Sequence, residues 1–470
     1  MKLKILVIAT LVANFFTLAA TSQEQTPRLE TKDRFVPVIG RNGMVTSREK
    51  IASQVGVDIL KKGGNAVDAA VAVGFAMAVT YPQAGNLGGG GFMVIHLAKE
   101  NKSIAIDYRE MAPAAASRDM FLNADGTVNE MSSRFTHKAT GVPGTVAGMA
   151  HALKNYGTMS LQEVMRPAYD LALAGFPMYN YLEGSLNARK ERMMQNDAAA
   201  KVFYKKDGSS YRYGETFKQK DLAWSLKRIM EGGEKEFYHG EIAERIVADM
   251  EANGGLITMG DMANYKAVER PALVGEYKGH KVVTMPPPSS GGVHLVQIMN
   301  MLENDDLRSK GHNSAATLHL YIEAMRQAYA DRSEYLGDPD FTDVPVEELT
   351  SKAYAKIIRN QIPADKARRS TDIGPALNLI TESPETTHFS VMDKDGNAVS
   401  NTYTLNFSYG IGAMAPGTGI LLNNEMDDFS AKPGTPNGYG LIGGEANSVQ
   451  PMKRPLSSMT PTIILKNDKP

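Results

Sequence analysis

The sequence predicts an α+β chain on three observations. Helical apolar periodicity alternates with short strand patterns, no internal repeat recurs, and a polar stretch holding Pro363, Pro375 and Pro384 gives way to a β-rich tail. From the N-terminal side, Ile51 to Lys62 places Ile51, Val55 and Ile59 on one face and stops at Gly63-Gly64, where left-handed backbone costs little. Asn65 then caps an alanine-rich run from Ala66 to Val79, apolar enough to predict a buried helix despite Asp68 and too short to span a membrane. After the glycines at 88 to 91, Phe92 to Leu97 reads as a strand with Ser103 to Asp107 as its hairpin partner. Ser160 and Glu163 form a capping box before a helix through Leu173. The segment Met285-Pro286-Pro287-Pro288-Ser289-Ser290-Gly291-Gly292 is expected to be irregular, because consecutive prolines donate no ladder hydrogen bonds. Asn313 or Ser314 opens a helix running to about Tyr335, and Arg359 to Pro384 reads as an exposed connector. Pro384 to Asn406 alternates like two strands joined at Lys394-Asp395-Gly396, and Thr460 to Lys466 looks like a strand.

Composition bounds the function. The chain has 470 residues, 43% of them hydrophobic and 22% charged, enough for one large domain or two to three smaller ones. Lys+Arg 51 against Asp+Glu 52 leaves no basic surplus for phosphates, which argues against nucleic acid as a partner. Lys2 and Lys4, the apolar run Ile5 to Leu18 and the small residues Ala19-Ala20-Thr21-Ser22 predict an export signal over residues 1–22. That run, interrupted by Asn14, falls short of the roughly 20 residues a spanning helix needs, so the expectation is a periplasmic or secreted protein without a stable membrane anchor. The absence of cysteine excludes disulfides, thiolate metal sites and a cysteine nucleophile.

Common catalytic signatures are missing. His-Glu-x-x-His does not occur, the nine histidines show no metal-ligand spacing, and His312 and His319 read as surface or packing residues on a helix. Asn406-Phe407-Ser408-Tyr409-Gly410 lacks the first glycine of a nucleophile elbow. The glycines at 88 to 91 precede a strand and lack the Gly-Lys-Ser/Thr of a phosphate loop. What remains is the hairpin with its hydroxyls Thr386, Thr387, Ser390, Thr402 and Thr404. By pattern alone two readings stand: threonine is a good strand residue, and one threonine is a nucleophile. A threonine hydroxyl needs a base, and the α-amine of the same residue becomes one if cleavage at Glu385-Thr386 exposes it, since such an amine titrates near pH 7.7 to 8.0.

Glu385-Thr386-Thr387-His388-Phe389-Ser390-Val391 and Thr402-Tyr403-Thr404-Leu405-Asn406 resemble the processing site and first hairpin of the γ-glutamyltranspeptidases, or glutathione hydrolases, of the N-terminal nucleophile superfamily. Further blocks resemble the same family in the same order, among them Gly63 to Ala70, Gly88 to Phe92, Asp107 to Pro113, Gly141 to Gly144, Pro287 to Gly292, Leu421 to Ser430 and Lys453 to Met459. The resemblance runs from about Val38 to the end.

It implies a four-layer αββα sandwich, one intertwined domain of a large subunit, 23–385, and a small subunit, 386–470, released by self-cleavage between Glu385 and Thr386. Thr386 would be the nucleophile and Thr404 would orient it. Arg109, helped by Ser457 and Ser458, would take the α-carboxylate of a γ-glutamyl group, with Asn406, Glu425 and Asp428 accepting from its ammonium at the opposite end. Singly, each has a mundane counterpart: Arg109 as a surface ion pair, Ser457-Ser458 as a turn, Asp427-Asp428 as a solvated helix cap. Residues 433–444, centred on Tyr439, match a lid found in some bacterial members. The implied substrates are glutathione and other γ-glutamyl compounds, with water, amino acids or peptides as acceptors and no cofactor or metal. The family's Pro-Gly-Gly-Ser-Arg segment, whose amides form the oxyanion hole, has no counterpart before Pro470. The small subunit is therefore expected to be incomplete at its C-terminus, as a longer protein cut short or a shortened relative. Losing one oxyanion donor costs about 100-fold or more in rate, so weak activity is expected of the chain ending there. Two rivals accompany this reading: a glutaryl-type acylase, whose substrate has no α-amine for Asp428, and an uncleaved exported γ-glutamyl-binding protein.

Overall fold

A computed structural model describes residues 38–373 and 385–470, so the export signal and residues 374–384 of the connector lie outside the described residues. Nine strands carry the framework: β1 (Gly43–Thr46), β2 (Gly90–Leu97), β3 (Lys102–Tyr108), β4 (Val268–Pro271), β5 (Leu273–Tyr277), β6 (His280–Thr284), β7 (Thr387–Asp393), β8 (Ala398–Thr404) and β9 (Thr462–Leu465). Six form one antiparallel sheet in the order β1-β7-β8-β2-β3-β4, and three form a second in the order β9-β6-β5. The larger sheet thus draws strands from both sides of the Glu385-Thr386 bond, and residues 41–470 make one compact unit.

The two sheets pack face to face. Val94 and Ala398 of the larger sheet meet Val283, Ile463 and Leu465 of the smaller, and the Thr462 amide donates to Ser400 Oγ across the gap at 2.9 Å. Helices cover both outer faces. On the six-stranded side lie α1 (Lys50–Lys61), α2 (Ala66–Thr80), α3 (Thr145–Tyr156) and α4 (Leu161–Ala174), and α5 (Asn180–Met193) adds Leu182, Leu186 and Met193 to the same core. On the other side α6 (Ser290–Leu302) lies on β5, with α7 (Ala315–Tyr335) and α8 (Lys352–Gln361) packed behind it through Met301, Leu320, Ala324 and Ile358. This is the αββα sandwich that the resemblance implies.

Local chemistry explains the elements that frame the hairpin. Helix α2 is buried on all sides and carries the full capping box, with Asn65 Oδ1 accepting from Asp68 N and Asp68 Oδ2 from Asn65 N. The hairpin turn is held by Asp393, whose carboxylate accepts from the amides of Asp395 and Asn397 and from Ala66 N at the start of α2. Gly89 and Gly91 sit where β2 meets β8 at close quarters, since a Cβ on them would lie 2.0 Å from Thr404 O and 2.4 Å from Thr402 O.

One expectation needs correction. The irregular stretch after β6 ends at Ser289, and Ser290, Gly291 and Gly292 already belong to α6. Ser289 Oγ caps it by accepting from Gly291 N, and glycine is required at 292 because a Cβ would meet Met285 O at 2.0 Å.

Along β7, Phe389 and Val391 point to the helical layer, and the Phe389 ring meets Tyr403 of β8 edge-on at 5.9 Å. Tyr403 in turn donates to Gly74 O in α2 at 2.9 Å. Phe389→Ala is expected to destabilise the fold by about 3–5 kcal/mol through the cavity it leaves, read as a lower denaturant midpoint.

Candidate active site

The register of β7 on β8 pairs Thr387 with Tyr403, so the next residue back, Thr386, falls beside Thr404. The two hydroxyls meet: Thr386 Oγ1 donates to Thr404 Oγ1 at 3.4 Å, and Thr404 Oγ1 also accepts from Asn406 N at 3.0 Å. Thr404 is buried, whereas Thr386 is exposed into a cavity of about 430 Å³. Arg109, Asn406, Glu425, Asp428, Tyr439, Ser457 and Ser458 line the same cavity. Every residue expected there is present, and only Glu385 turns away, toward Arg189 and Ser408.

Arg109 reaches the cavity because it directly follows the last residue of β3, Tyr108, and is held there by Asp107, whose carboxylate accepts from Arg109 N at 3.0 Å and pairs with Arg270 at 2.9 Å. Its guanidinium donates through Nε to Pro455 O at 3.1 Å, through Nη1 to Glu425 and through Nη2 to Asp428. The expected separation of cation and anions at opposite ends of the pocket is therefore corrected: in this structure they are in direct contact. A buried guanidinium with five donors cannot be left unpaired, and the carboxylates beside it are its partners. Burial works to lower the Arg109 pKa, but Glu425 and Asp428 outweigh it and hold the group above its ordinary value. Burial pushes Glu425 well above the carboxylate range, against the pull of Arg109, and pushes Glu110 up to about 7. No N–H or hydroxyl of another described residue reaches a Glu110 carboxyl oxygen; its side-chain partner is the Glu425 carboxyl, and the nearer oxygen lies 3.7 Å from Arg109 Nη1.

Ser457 and Ser458 are set by the proline-rich segment. Ser457 N donates to Pro288 O at 2.9 Å, Ser290 N donates back to Ser457 O at 2.8 Å, and the Ser458 and Ser290 hydroxyls are 3.2 Å apart. Residues 433–444 fold over the cavity. Tyr439 donates to Asn406 O at 2.7 Å, its ring meets Phe407 at 5.1 Å, Gly438 N donates to Asp427 and Asn437 Nδ2 to Asp428. Burial raises Asp427 to about 6, with Arg134 opposing it.

Sequence reasoning missed Arg332 and His388. Arg332 comes from the inner face of α7, buried, with Nε donating to Ser290 Oγ at 3.3 Å, and burial lowers its pKa. Nothing in its helical context separates it from a solvated arginine. His388 bridges Thr402 Oγ1 at 2.8 Å and Ser390 Oγ at 3.0 Å, on the strand face that the two-residue period assigns to Thr386.

A threonine directly before a central strand of an αββα sandwich, lining a charged cavity, marks the class of N-terminal nucleophile hydrolases. Comparison with known proteins narrows it. The family model for gamma-glutamyltranspeptidase matches residues 52–470, and the chain belongs to that family. It is 56% identical over 438 residues to the glutathione hydrolase proenzyme of Escherichia coli K12, covering 93% of this chain and 75% of that protein. Among solved structures it is similar to the Helicobacter pylori gamma-glutamyltranspeptidase, with TM-score 0.71, 46% identity and coverage of 74% of this chain and 100% of that one. It is also similar to a cephalosporin acylase from Bacillus halodurans, with TM-score 0.76, 27% identity and coverage of 94% and 79%.

The Glu110 carboxyl makes stability depend on pH. Its folded pKa is raised, so its contribution is full below the ordinary 4.5 and is lost as pH rises toward about 7. Glu110→Gln should flatten this loss, and melting temperatures recorded between about pH 5 and pH 8 should fall less for the variant than for the wild type.

Proposed function

We propose that this chain is an exported precursor that cuts itself at Glu385-Thr386 into subunits 23–385 and 386–470 and then hydrolyses or transfers γ-glutamyl groups, glutathione among them. The observation that carries this is the Thr386 hydroxyl, 3.4 Å from Thr404 Oγ1, on a residue lining the same cavity as Arg109, Glu425 and Asp428. In the precursor, Thr386 Oγ1 would attack the Glu385 carbonyl carbon. The peptide C–N bond breaks, the nitrogen takes the hydroxyl proton, and water opens the resulting ester to a Glu385 carboxylate and a free hydroxyl.

In the mature enzyme the freed α-amine would take the hydroxyl proton as Thr386 attacks a γ-glutamyl amide. The leaving amine departs protonated, and water or the amine of an amino acid or peptide resolves the acyl-enzyme. Thr404, its own oxygen anchored by Asn406 N, would keep the hydroxyl aimed. Substrate binding would redistribute the charges already in contact. The α-carboxylate would enter the donor field of Arg109, Ser457 and Ser458, and the α-ammonium would replace guanidinium contacts on Asp428 and Glu425, beside Asn406. Tyr439 would close the cavity as part of a lid.

Thr386→Ala is expected to leave a single uncut chain on a denaturing gel. Cleavage persisting at that bond would remove Thr386 from the mechanism. Likeness to a cephalosporin acylase keeps one alternative open, and paired anilides separate it. A γ-glutamyl anilide should be hydrolysed at least about 10-fold faster than the glutaryl anilide, which leaves the buried acids without a cation.

A further inference from the structure

The two residues flanking the bond proposed for self-cleavage are held by the end of β8 and the loop that follows it. Thr386 Oγ1 donates to Thr404 Oγ1 at 3.4 Å, and four residues further along the Ser408 amide donates to Glu385 Oε2 at 2.6 Å. The other oxygen of that carboxylate, Oε1, accepts from Arg189 Nη2 of α5 at 2.8 Å. Both Glu385 oxygens are thus engaged, and the side chain is only 12% exposed.

The loop is itself fixed. Asn406 and Tyr409 hold φ of 69° and 64°, Phe407 N donates to Asn424 Oδ1 at 2.8 Å, and Tyr409 N donates to Gln83 O at 2.9 Å. Arg192, one turn beyond Arg189 on α5, donates through Nη2 to Ser408 O. Helix α5 therefore fixes the carboxylate directly and the loop amide indirectly.

We infer that the Glu385 carboxylate is the handle by which the fold holds the bond it cuts, and that Arg189 is a positioning residue for self-cleavage. This rests on the reading that Thr386 attacks the Glu385 carbonyl. That attack needs the hydroxyl oxygen within about 3–3.5 Å of the carbonyl carbon along a defined approach. Strand β7 fixes the Thr386 side of the bond. Nothing in β7 fixes the carbonyl side, and a rotation about the backbone of Glu385 would swing the carbonyl away. The clamp on its side chain prevents that rotation.

Arg189 does not line the cavity, and after the cut Glu385 takes no part in acyl transfer, so the contribution of Arg189 falls on maturation alone. Electron and proton balance is that of the precursor step above: the clamp neither gives nor takes a proton, and water remains the only co-reactant.

The test follows conversion of the full-length gene product to two fragments on a gel after synthesis. Losing a hydrogen bond to a charged group should lengthen the half-time of cutting in Arg189→Ala by about 10- to 100-fold. Arg189→Lys should recover part of the rate. Glu385→Gln, isosteric but uncharged, should slow cutting as well, and combining it with Arg189→Ala should add little, because both remove the same contact. Once cut, the Arg189→Ala enzyme should match wild-type kcat and KM on a γ-glutamyl anilide. Wild-type cutting rates in Arg189→Ala or in Glu385→Gln would overturn the clamp. So would a mature Arg189→Ala enzyme whose activity falls as far as its cutting rate, since that marks general misfolding. Cutting that persists in Thr386→Ala would instead overturn the reading beneath it.

Discussion

The site depends on one constraint, the register of β7 against β8. Side chains alternate faces along a strand, so a slip of one residue would send Thr404 toward the helices and bring Tyr403 into the cavity. Burial prevents the slip. Phe389, Val391, Val399 and Tyr403 are fully or nearly fully buried under α2, and the Tyr403 hydroxyl is satisfied only where it meets Gly74 O. Asp393 adds a second lock by tying the hairpin turn to the first turn of α2. The Thr386 hydroxyl is thus placed by hydrophobic packing on the face of the sheet opposite to the cavity.

Around this the charged groups form a second, tightly coupled unit. Three carboxyls, Glu110, Glu425 and Asp428, surround one buried guanidinium, and such a cluster is stable only when some protons are retained. Burial raises Glu110 and Glu425, consistent with a pocket that holds fewer negative charges than its carboxyl count suggests. A zwitterionic ligand suits such a pocket because it exchanges one set of ion pairs for another without leaving a charge unpaired. Asp427 sits one residue from this cluster but faces Arg134 and the amide of Gly438, so neighbouring acids in one short helical turn serve two different structures.

Much of this was legible in the sequence. Caps at Asn65, Ser160 and Ser314, the hairpin around Gly396 and the buried helix after Asn65 all occur within a residue or two of their expected places, because caps and turns are local chemistry. The start of α6 was not, because its glycines read as loop when their neighbours are unknown. Arg332 was not, because an arginine on a long helix shows its burial only when the helix is docked. The glycine run at 88–91, whose last two residues open β2, was legible only in what it excluded; at Gly89 and Gly91 its reason is the nearness of the β8 backbone, at Gly88 that of Leu421 O and at Gly90 that of Tyr108 O.

What the residues alone determined is the set of chemical groups and their order: a hydroxyl directly after a glutamate, an arginine after a strand, a pair of serines after a proline. Those follow from local pattern and from likeness to a family, and both survive without coordinates. Tertiary structure alone decided which of these groups touch. Contacts such as Arg109 with Glu425 and Asp428, 316 and 319 residues away, or Glu385 with Arg189, 196 residues away, join segments remote in sequence, while Glu385 meets Ser408 across the whole β7–β8 hairpin. Such pairing is set by how sheets and helices stack, a property of the packed core that no single stretch of sequence carries.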